Sequence, residues 1–122
     1  MSDSVQLIPL EIHKNGRRGN IVVVENPPFK IKRVFAIYDV PVNEIRGGHA
    51  HKTCRQLLVA TSGAVLVKIA GGADYVLDAP EIGLYVPPRH ILHLKFLTEG
   101  AVLMVVASEK FNKDDYIYSE VE

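Results

Sequence analysis

Short runs of apolar and β-branched residues recur along nearly the whole chain, separated by glycine, proline and asparagine at intervals of roughly 8–12 residues. The clearest pair of runs flanks Gly71-Gly72, because a Gly-Gly dipeptide accepts the positive φ angles of a tight hairpin turn. The sequence shows no convincing amphipathic helix, linker or internal repeat. The pattern predicts an all-β fold of about ten strands, a small antiparallel β-barrel or double-sheet jelly roll.

The same signals predict where each strand lies. Pro9 suits an edge strand or a strand donated to a partner chain, because proline cannot donate to a central ladder. Residues 15–20 are expected to form a turn, residues 41–48 a loop, and the tail 112–122 a single helical turn. The predicted strands are residues 5–10, 21–25, 31–39, 49–51 continuing to 56–61, 64–70, 73–77, 82–86, 91–96 and 101–107.

Length and composition restrict the class of protein. A chain of 122 residues predicts one domain, residues 1–122. Lys+Arg and Asp+Glu both number 14, so bulk charge does not attract nucleic acid or an acidic membrane. No apolar run approaches the ~20 residues that span a bilayer, and no leader-like segment opens the chain. With Cys54 as the single cysteine and no intrachain disulfide, we expect a cytoplasmic protein.

Two stretches, residues 21–24 and 103–106, are apolar on both faces of the predicted strands. In a barrel this small, the outward-facing apolar side chains need a second cover. The simplest cover is another copy of the chain, so we expect a homodimer.

The stretch Arg46-Gly47-Gly48-His49-Ala50-His51-Lys52 carries the strongest chemical signal. Alternate side chains of a β-strand point to the same face, so both imidazoles are expected to project the same way. Histidine has an unperturbed pKa of about 6.5 and therefore serves as a general acid or base near neutral pH. The pair indicates proton transfer or metal binding, and a hydrogen-bonded structural pair is the alternative without chemistry.

The pattern H-x-H-x4-Q-x6-G at residues 49–63 resembles the first cupin motif, which normally has glutamate in place of the glutamine. The second cupin motif is met only loosely at residues 83–93, where its inner glycine is missing. The runs PFKIKRVFAIYDV, RGGHAHK, GLYVPP and ASEKFNKDDYI resemble the sugar 3,4-ketoisomerases that act on dTDP-4-keto-6-deoxyglucose. The resemblance covers residues 5–118 and departs at Ile91-Leu92, where many members carry Trp-His or a similar pair.

The resemblance implies a metal-independent isomerase without a cofactor, in deoxysugar nucleotide biosynthesis of the kind that serves lipopolysaccharide or S-layer glycans. Such an enzyme moves a ketone from C4 to C3 of the hexose through an enediol or enediolate. His49 and His51 would be the catalytic pair, with His49 the first choice for the base. Related enzymes form dimers by exchanging N-terminal strands, and residues 5–10 are the candidate segment here.

A nucleotide diphosphate needs local cations in a protein without net charge, and arginine grips phosphate in a bidentate manner. Tyrosine could donate a hydrogen bond to the sugar or a phosphate. The predicted substrate-binding side chains are Arg18, Arg33, Tyr38, Arg46, Lys52 and His93.

Two other interpretations stay open. The first is a metal-dependent cupin such as a dioxygenase, since imidazoles suit iron, nickel, copper and zinc, although glutamine is a weak neutral ligand. Its ligands would be His49, His51, Gln56 and His93. The second is a non-catalytic cupin that binds or senses a sugar.

Overall fold

The computed structural model describes residues 3–118, which contain twelve β-strands and two 3-10 helices, Gly16–Arg18 and Lys113–Asp115. Neither helix is long enough to cross a membrane, and residues 3–118 contain no other helix. The strands are β1 (Gln6–Pro9), β2 (Glu11–Lys14), β3 (Asn20–Val23), β4 (Arg33–Ile37), β5 (Ile45–His51), β6 (Gln56–Ser62), β7 (Val65–Ile69), β8 (Asp74–Leu77), β9 (Ile82–Val86), β10 (Leu92–Phe96), β11 (Val102–Ala107) and β12 (Tyr116–Tyr118).

Two five-stranded antiparallel sheets enclose the main core of the described residues, with the orders β1-β9-β6-β11-β4 and β12-β5-β10-β7-β8. Alternate side chains of both sheets point inward, and Leu58, Val67, Phe96 and Leu103 are at most 1% exposed there. The hairpin β2–β3 forms a separate two-stranded sheet around the predicted turn. This double-sheet antiparallel arrangement confirms the predicted cupin jelly roll.

The strand β1 lies at the edge of its sheet and pairs with β9 of the same chain, from Gln6 opposite Tyr85 to Pro9 opposite Ile82. Proline has no N–H to donate, and at the edge of a sheet this removes no hydrogen bond between strands. The edge placement predicted from Pro9 is confirmed.

A second apolar cluster lies on the outer face of the β1-β9-β6-β11-β4 sheet. Its buried members are Leu57, Val59, Tyr85 and Val106, and the side chains packed against them include Val24, Phe29 and Ile31 from the segment before β4. Strands that are apolar on both faces are therefore partly covered by the chain itself. Ile21 and Val34 remain 54% and 57% exposed.

The loop predicted at residues 41–48 is wrong, because β5 begins at Ile45. Along β10 the pairing passes from Gly47 to His49 and skips Gly48, which makes Gly48 the extra residue of a β-bulge. Both glycines have positive φ angles, 100° and 87°, which glycine adopts without steric cost. The sequence analysis placed this Gly-Gly pair at the end of a loop, but in the structure the pair bends a continuous strand.

The tail contains the predicted helical turn, the 3-10 helix Lys113–Asp115, and then a strand that the sequence did not indicate. That strand, β12, pairs with β5 and places Tyr116 opposite His51. Strand β2 was also missed, because Ile12 is the only apolar residue among its four and no alternating pattern is visible over so short a run. Residues 119–122 of the predicted tail lie outside the described residues.

Candidate active site

A cavity of about 540 Å³ lies between the two large sheets, at the end formed by β4, β5 and β12. Its walls come from both sheets and from the segment between β11 and β12, and its size suits a small-molecule ligand. The predicted residues that the structure brings together around it are Arg33, Tyr38, Arg46, His49, His51 and Gln56.

The β-bulge determines how the two histidines enter the cavity. A Cβ atom on Gly47 would lie 2.5 Å from the carbonyl oxygen of Leu92, so only glycine allows β5 and β10 to approach this closely. Beyond the bulge, His49 and His51 both line the cavity, with their ring centroids 5.5 Å apart and their planes at 79°. Both imidazoles project to the same side, as strand alternation predicts.

The imidazole of His49 is held against an aromatic ring. Tyr116 stacks on it with a centroid distance of 4.3 Å and an angle of 7° between the planes. Burial lowers the pKa of His49, and the nearby charges of His51 and Arg46 lower this pKa further. His49 is therefore neutral at pH 7.

Asp115 lies beside the second histidine and accepts several hydrogen bonds. Its Oδ2 is 3.2 Å from Nδ1 of His51, and the two side chains are 11% and 13% exposed. Asp115 also accepts from the N–H and hydroxyl of Thr53, at 3.0 and 2.8 Å, and from the N–H of Cys54 at 3.2 Å. Burial raises the pKa of Asp115, but these hydrogen bonds outweigh burial and hold this pKa below its usual range. Asp115 is therefore an ionised acceptor.

The ionised carboxylate fixes the tautomer of His51. Because Asp115 can only accept, Nδ1 of His51 carries the hydrogen in the neutral ring, and Nε2 keeps a free lone pair. Burial lowers the pKa of His51, Asp115 opposes this effect, and the charge of Arg33 adds to the lowering. The ring is neutral at pH 7, with Nε2 at 3.4 Å from Nε2 of Gln56. This arrangement suits a general base.

Two guanidinium groups provide positive charge at the cavity. The guanidinium carbon of Arg33 lies 4.2 Å from the ring centroid of Phe35 and 5.4 Å from that of Phe111. Within residues 3–118, no carboxylate forms an ion pair with Arg33 or Arg46. Tyr38 lies at the rim and is 64% exposed. The two arginines are therefore available to an anionic ligand.

Three predicted substrate-binding side chains do not line the cavity. His93 lies on the outer face of β10, because the inner face is occupied by Leu92 and Leu94. Lys52 is exposed in the turn after β5, and Arg18 is exposed in the 3-10 helix between β2 and β3. The structure therefore does not bring these three residues to the cavity, and their part in substrate binding stays a prediction.

The four metal ligands considered from the sequence are not brought together either. His49, His51 and Gln56 line the cavity, whereas His93 lies on the other side of its sheet. Across the described range 3–118, no group of three or more His, Cys, Asp or Glu side chains could hold a metal ion. The metal-dependent interpretation therefore lacks its predicted ligand set.

Asp115 and Tyr116 are two parts of the site that the sequence did not indicate. Both lie in the DDYI run, which contributed only to the family resemblance. Asp115 is 64 positions from His51 in the chain, and the contact depends on the pairing of β12 with β5. No local pattern in the sequence predicts which residues of β12 and β5 lie opposite each other.

The fold is that of a small cupin whose cavity contains two histidines and the carboxylate of Asp115. The chain belongs to the sugar 3,4-ketoisomerase family, because the family model described as "FdtA: WxcM-like, C-terminal" matches residues 3–122. Over 106 residues the chain is 40% identical to TDP-4-oxo-6-deoxy-alpha-D-glucose-3,4-oxoisomerase of Aneurinibacillus thermoaerophilus, covering 82% of this chain and 76% of that protein. The family predicted from the sequence is confirmed.

Solved structures of ketoisomerases have the same fold. A variant of the 3,4-ketoisomerase QdtA from Thermoanaerobacterium thermosaccharolyticum, in complex with TDP-4-keto-6-deoxyglucose, is 34% identical with a TM-score of 0.86, covering 96% of this chain and 88% of QdtA. The WlaRB TDP-quinovose 3,4-ketoisomerase from Campylobacter jejuni is 31% identical with a TM-score of 0.85, covering 97% of this chain and 95% of WlaRB.

Proposed function

We propose that the protein is a 3,4-ketoisomerase acting on a TDP-4-keto-6-deoxyhexose (the dTDP-sugar of the sequence analysis). The observation that carries the proposal is the ionised Asp115 bonded to His51, beside His49 in a cavity bordered by two unpaired arginines. The 40% identical relative, named as an oxoisomerase of such a sugar, supports the substrate class. The whole chain would serve as one catalytic domain.

We assign the base to His51 instead of His49, the first choice from the sequence. His51 has an anionic partner on Nδ1 and an unprotonated Nε2, whereas His49 has an aromatic ring against its face. The carboxylate of Asp115 would stabilise the imidazolium that forms when Nε2 takes the C3 proton. His49, which is neutral at pH 7, would accept the C3 hydroxyl proton and then deliver it to C4.

The reaction needs no external oxidant. Removal of the C3 proton moves its bonding electrons into a C3–C4 double bond and places the charge of the former carbonyl on the C4 oxygen. Protonation of C4 and of the C4 oxygen, together with loss of the C3 hydroxyl proton, then gives a C3 ketone and a C4 hydroxyl. C3 is oxidised and C4 is reduced within one molecule, so acid–base groups are sufficient.

The diphosphate would bind at Arg33 and Arg46. Arginine makes bidentate, charge-assisted hydrogen bonds to phosphate, and neither guanidinium has a competing carboxylate among residues 3–118. The guanidinium of Arg33 also contacts the ring of Phe35 and lies near that of Phe111, which limits the entropy lost when it binds. Tyr38 at the rim is a further candidate donor to the sugar nucleotide.

The direct test is to incubate the purified protein with TDP-4-keto-6-deoxyglucose in D2O and follow the sugar by NMR. We expect deuterium at the carbons that exchange protons and accumulation of the 3-keto isomer. Binding of TDP without exchange at C3 would contradict the proposal and favour a sugar sensor. Metal analysis of the same sample distinguishes the proposed isomerase from a metal-dependent cupin. A metal-dependent cupin would contain stoichiometric metal and would need that metal for turnover.

We also propose a homodimer with exchanged N-terminal strands in the cytoplasm. β1 has only four residues and one neighbouring strand, and Leu7 on it is 49% exposed. The same strand from a second copy could make the same pairing with β9. Cys54, a buried free thiol, is compatible with a reducing compartment. Light scattering after gel filtration should give twice the mass of the chain, and a monomer would contradict the dimer.

A further inference from the structure

Gln56 occupies the cavity at the point where the proposed base acts. It is the first residue of β6 and is paired with Ala107 of β11 and Val86 of β9, so its backbone is held on both sides. Its side chain is partly buried, lines the cavity, and lies with Nε2 at 3.4 Å from Nε2 of His51. A group in this position contacts the atom that receives the substrate proton.

The hydrogen-bond network determines which end of the amide faces His51. Asp115 accepts from three donors of Thr53 and Cys54, so it must accept from Nδ1 of His51 as well. The Nε2 of the neutral imidazole then has no hydrogen and can only accept. The side chain of Gln56 therefore presents its NH2 group to the cavity beside the base, with Oε1 directed away.

We infer that Gln56 is a catalytic residue whose amide N–H stabilises the enediolate, an inference that rests on the proposed function. When Nε2 of His51 takes the C3 proton, it becomes an N–H group and can no longer accept from Gln56. In the same step the electrons of the C3–H bond form the C3–C4 double bond, and the C4 oxygen becomes negative. The amide hydrogen released from His51 then bonds to that oxygen, next to the carbon that lost its proton.

The choice of glutamine at this position follows from the charge that the reaction creates. A glutamate here would place a second negative charge beside the developing enediolate, and it would have no hydrogen to donate when ionised. A neutral amide keeps its two donors at every pH at which the histidines act. The residue that separates this chain from the usual cupin motif would therefore have its own part in the reaction.

The competing role for Gln56 is a structural acceptor. If the amide rotated, its Oε1 could accept from the protonated Nε2 of His51 and stabilise the imidazolium instead of the enediolate. Glutamate would serve that role at least as well, because its carboxylate is a stronger acceptor. The two roles therefore predict opposite results for a glutamate variant.

The experiment compares Gln56→Met and Gln56→Glu with the wild-type protein. We expect both variants to lose about a hundredfold in kcat and in the rate of deuterium entry at C3, with TDP affinity changed less than threefold. We also expect the glutamate variant to require a higher pH for its remaining activity, because its charge raises the pKa of His51. Gln6→Glu, which makes the same change on the edge strand β1, should keep wild-type turnover.

If kcat of Gln56→Glu exceeded kcat of Gln56→Met by tenfold or more, Gln56 would act as the acceptor and the inference would be overturned. If both variants took up deuterium at C3 as fast as the wild type does, the inference would also be overturned. The proposed function would still stand, because the wild-type protein would be an active isomerase. A wild-type protein that binds TDP but exchanges no C3 proton would overturn both. Thermal unfolding and TDP binding of each variant show that a loss of rate does not come from loss of the fold.

Discussion

The ring of Tyr116 lies parallel to the imidazole of His49, with 4.3 Å between the centroids and 7° between the planes. The same ring meets His51 edge-on, with a centroid distance of 4.9 Å and an angle of 86°. One residue of β12 therefore contacts both histidines and fixes the angle between them. The strand that carries it is only three residues long, Tyr116–Tyr118, and it depends on β5 for its pairing.

We predict that the ring of Tyr116, and not its hydroxyl, supports catalysis. Tyr116→Phe keeps the stacked ring and should retain at least half of the wild-type kcat. Tyr116→Leu removes an aromatic contact of about 0.5–1.5 kcal/mol and lets His49 rotate, so kcat should fall roughly tenfold or more. Steady-state kinetics with the keto sugar nucleotide measures both. A large loss in the phenylalanine variant would instead indicate that the hydroxyl takes part in proton transfer.

Asp115→Asn should separate catalysis from binding. The asparagine cannot stabilise the imidazolium of His51, so kcat should fall by about a hundredfold or more, while TDP affinity changes little. The charge and hydrogen bond of Asp115 raise the pKa of His51, so their loss should move the acidic limb of the pH–rate profile to lower pH.

The matched control for Asp115→Asn is Thr53→Ala, which removes one hydrogen bond to the carboxylate and leaves its charge. Its kcat should fall less than fivefold, and the acidic limb of its pH–rate profile should keep its position. If the asparagine variant kept the wild-type acidic limb, the proton on the essential base would not be that of His51.

The positions of the strands could be predicted from the sequence where local patterns determine them. Alternating burial of Leu92, Leu94 and Phe96 in β10 follows from their spacing, and that same alternation places His93 outside. His93 was nevertheless chosen for the cavity, because its distance from Pro88 matched a motif. Strand periodicity was the better guide, since it reports the face on which a side chain lies.

Only the site residues that lie on one strand could be predicted from the sequence. His49 and His51 share a face because they are two residues apart, and the period of a strand is two. Asp115 and Tyr116 reach them through the pairing of β12 with β5, which is set by the whole barrel. Gly47 and Gly48 were assigned to a loop, because the sequence alone does not distinguish a glycine in a loop from a glycine in a β-bulge.

Arg33→Met and Arg46→Met should each weaken TDP binding. A charge-assisted hydrogen bond to phosphate contributes about 1.5–3 kcal/mol, which corresponds to roughly 10- to 100-fold in affinity. The loss should be smaller at high salt, where the charges at the cavity mouth are screened. Calorimetric titration with TDP measures it, and Lys52→Met, exposed and outside the cavity, is the control that should bind as the wild type does.

Acidification should reduce both activity and stability. Burial lowers the pKa of His49 and of His51, so both are neutral at pH 7 and kcat/KM should fall only below the usual histidine pKa of about 6.5.

Because the folded state prefers neutral rings, their contribution to the free energy of unfolding is complete above about pH 6.5 and decreases below it. The pKa of Asp115 is also lowered, so its contribution is complete above about pH 3.9 and decreases below that. Urea unfolding between pH 3 and 8 should show both steps, and a stability that rises on acidification from pH 7 to 5 would contradict the first.

Gly47→Ala should disrupt the bulge that aims the histidines. The substitution places a Cβ atom 2.5 Å from the carbonyl oxygen of Leu92 at a φ angle of 100°, so strain and steric overlap together should lower the free energy of unfolding by roughly 2–5 kcal/mol. Because β5 must move away from β10 and carries both histidines, kcat should fall together with the stability. Gly71→Ala is the matched control, with a φ angle of 74° and no atom within 4 Å of the added Cβ; it should cost about 1–2 kcal/mol and leave kcat unchanged. Equal stability and equal kcat in the two variants would mean that the close approach of Gly47 to Leu92 does not position the active site.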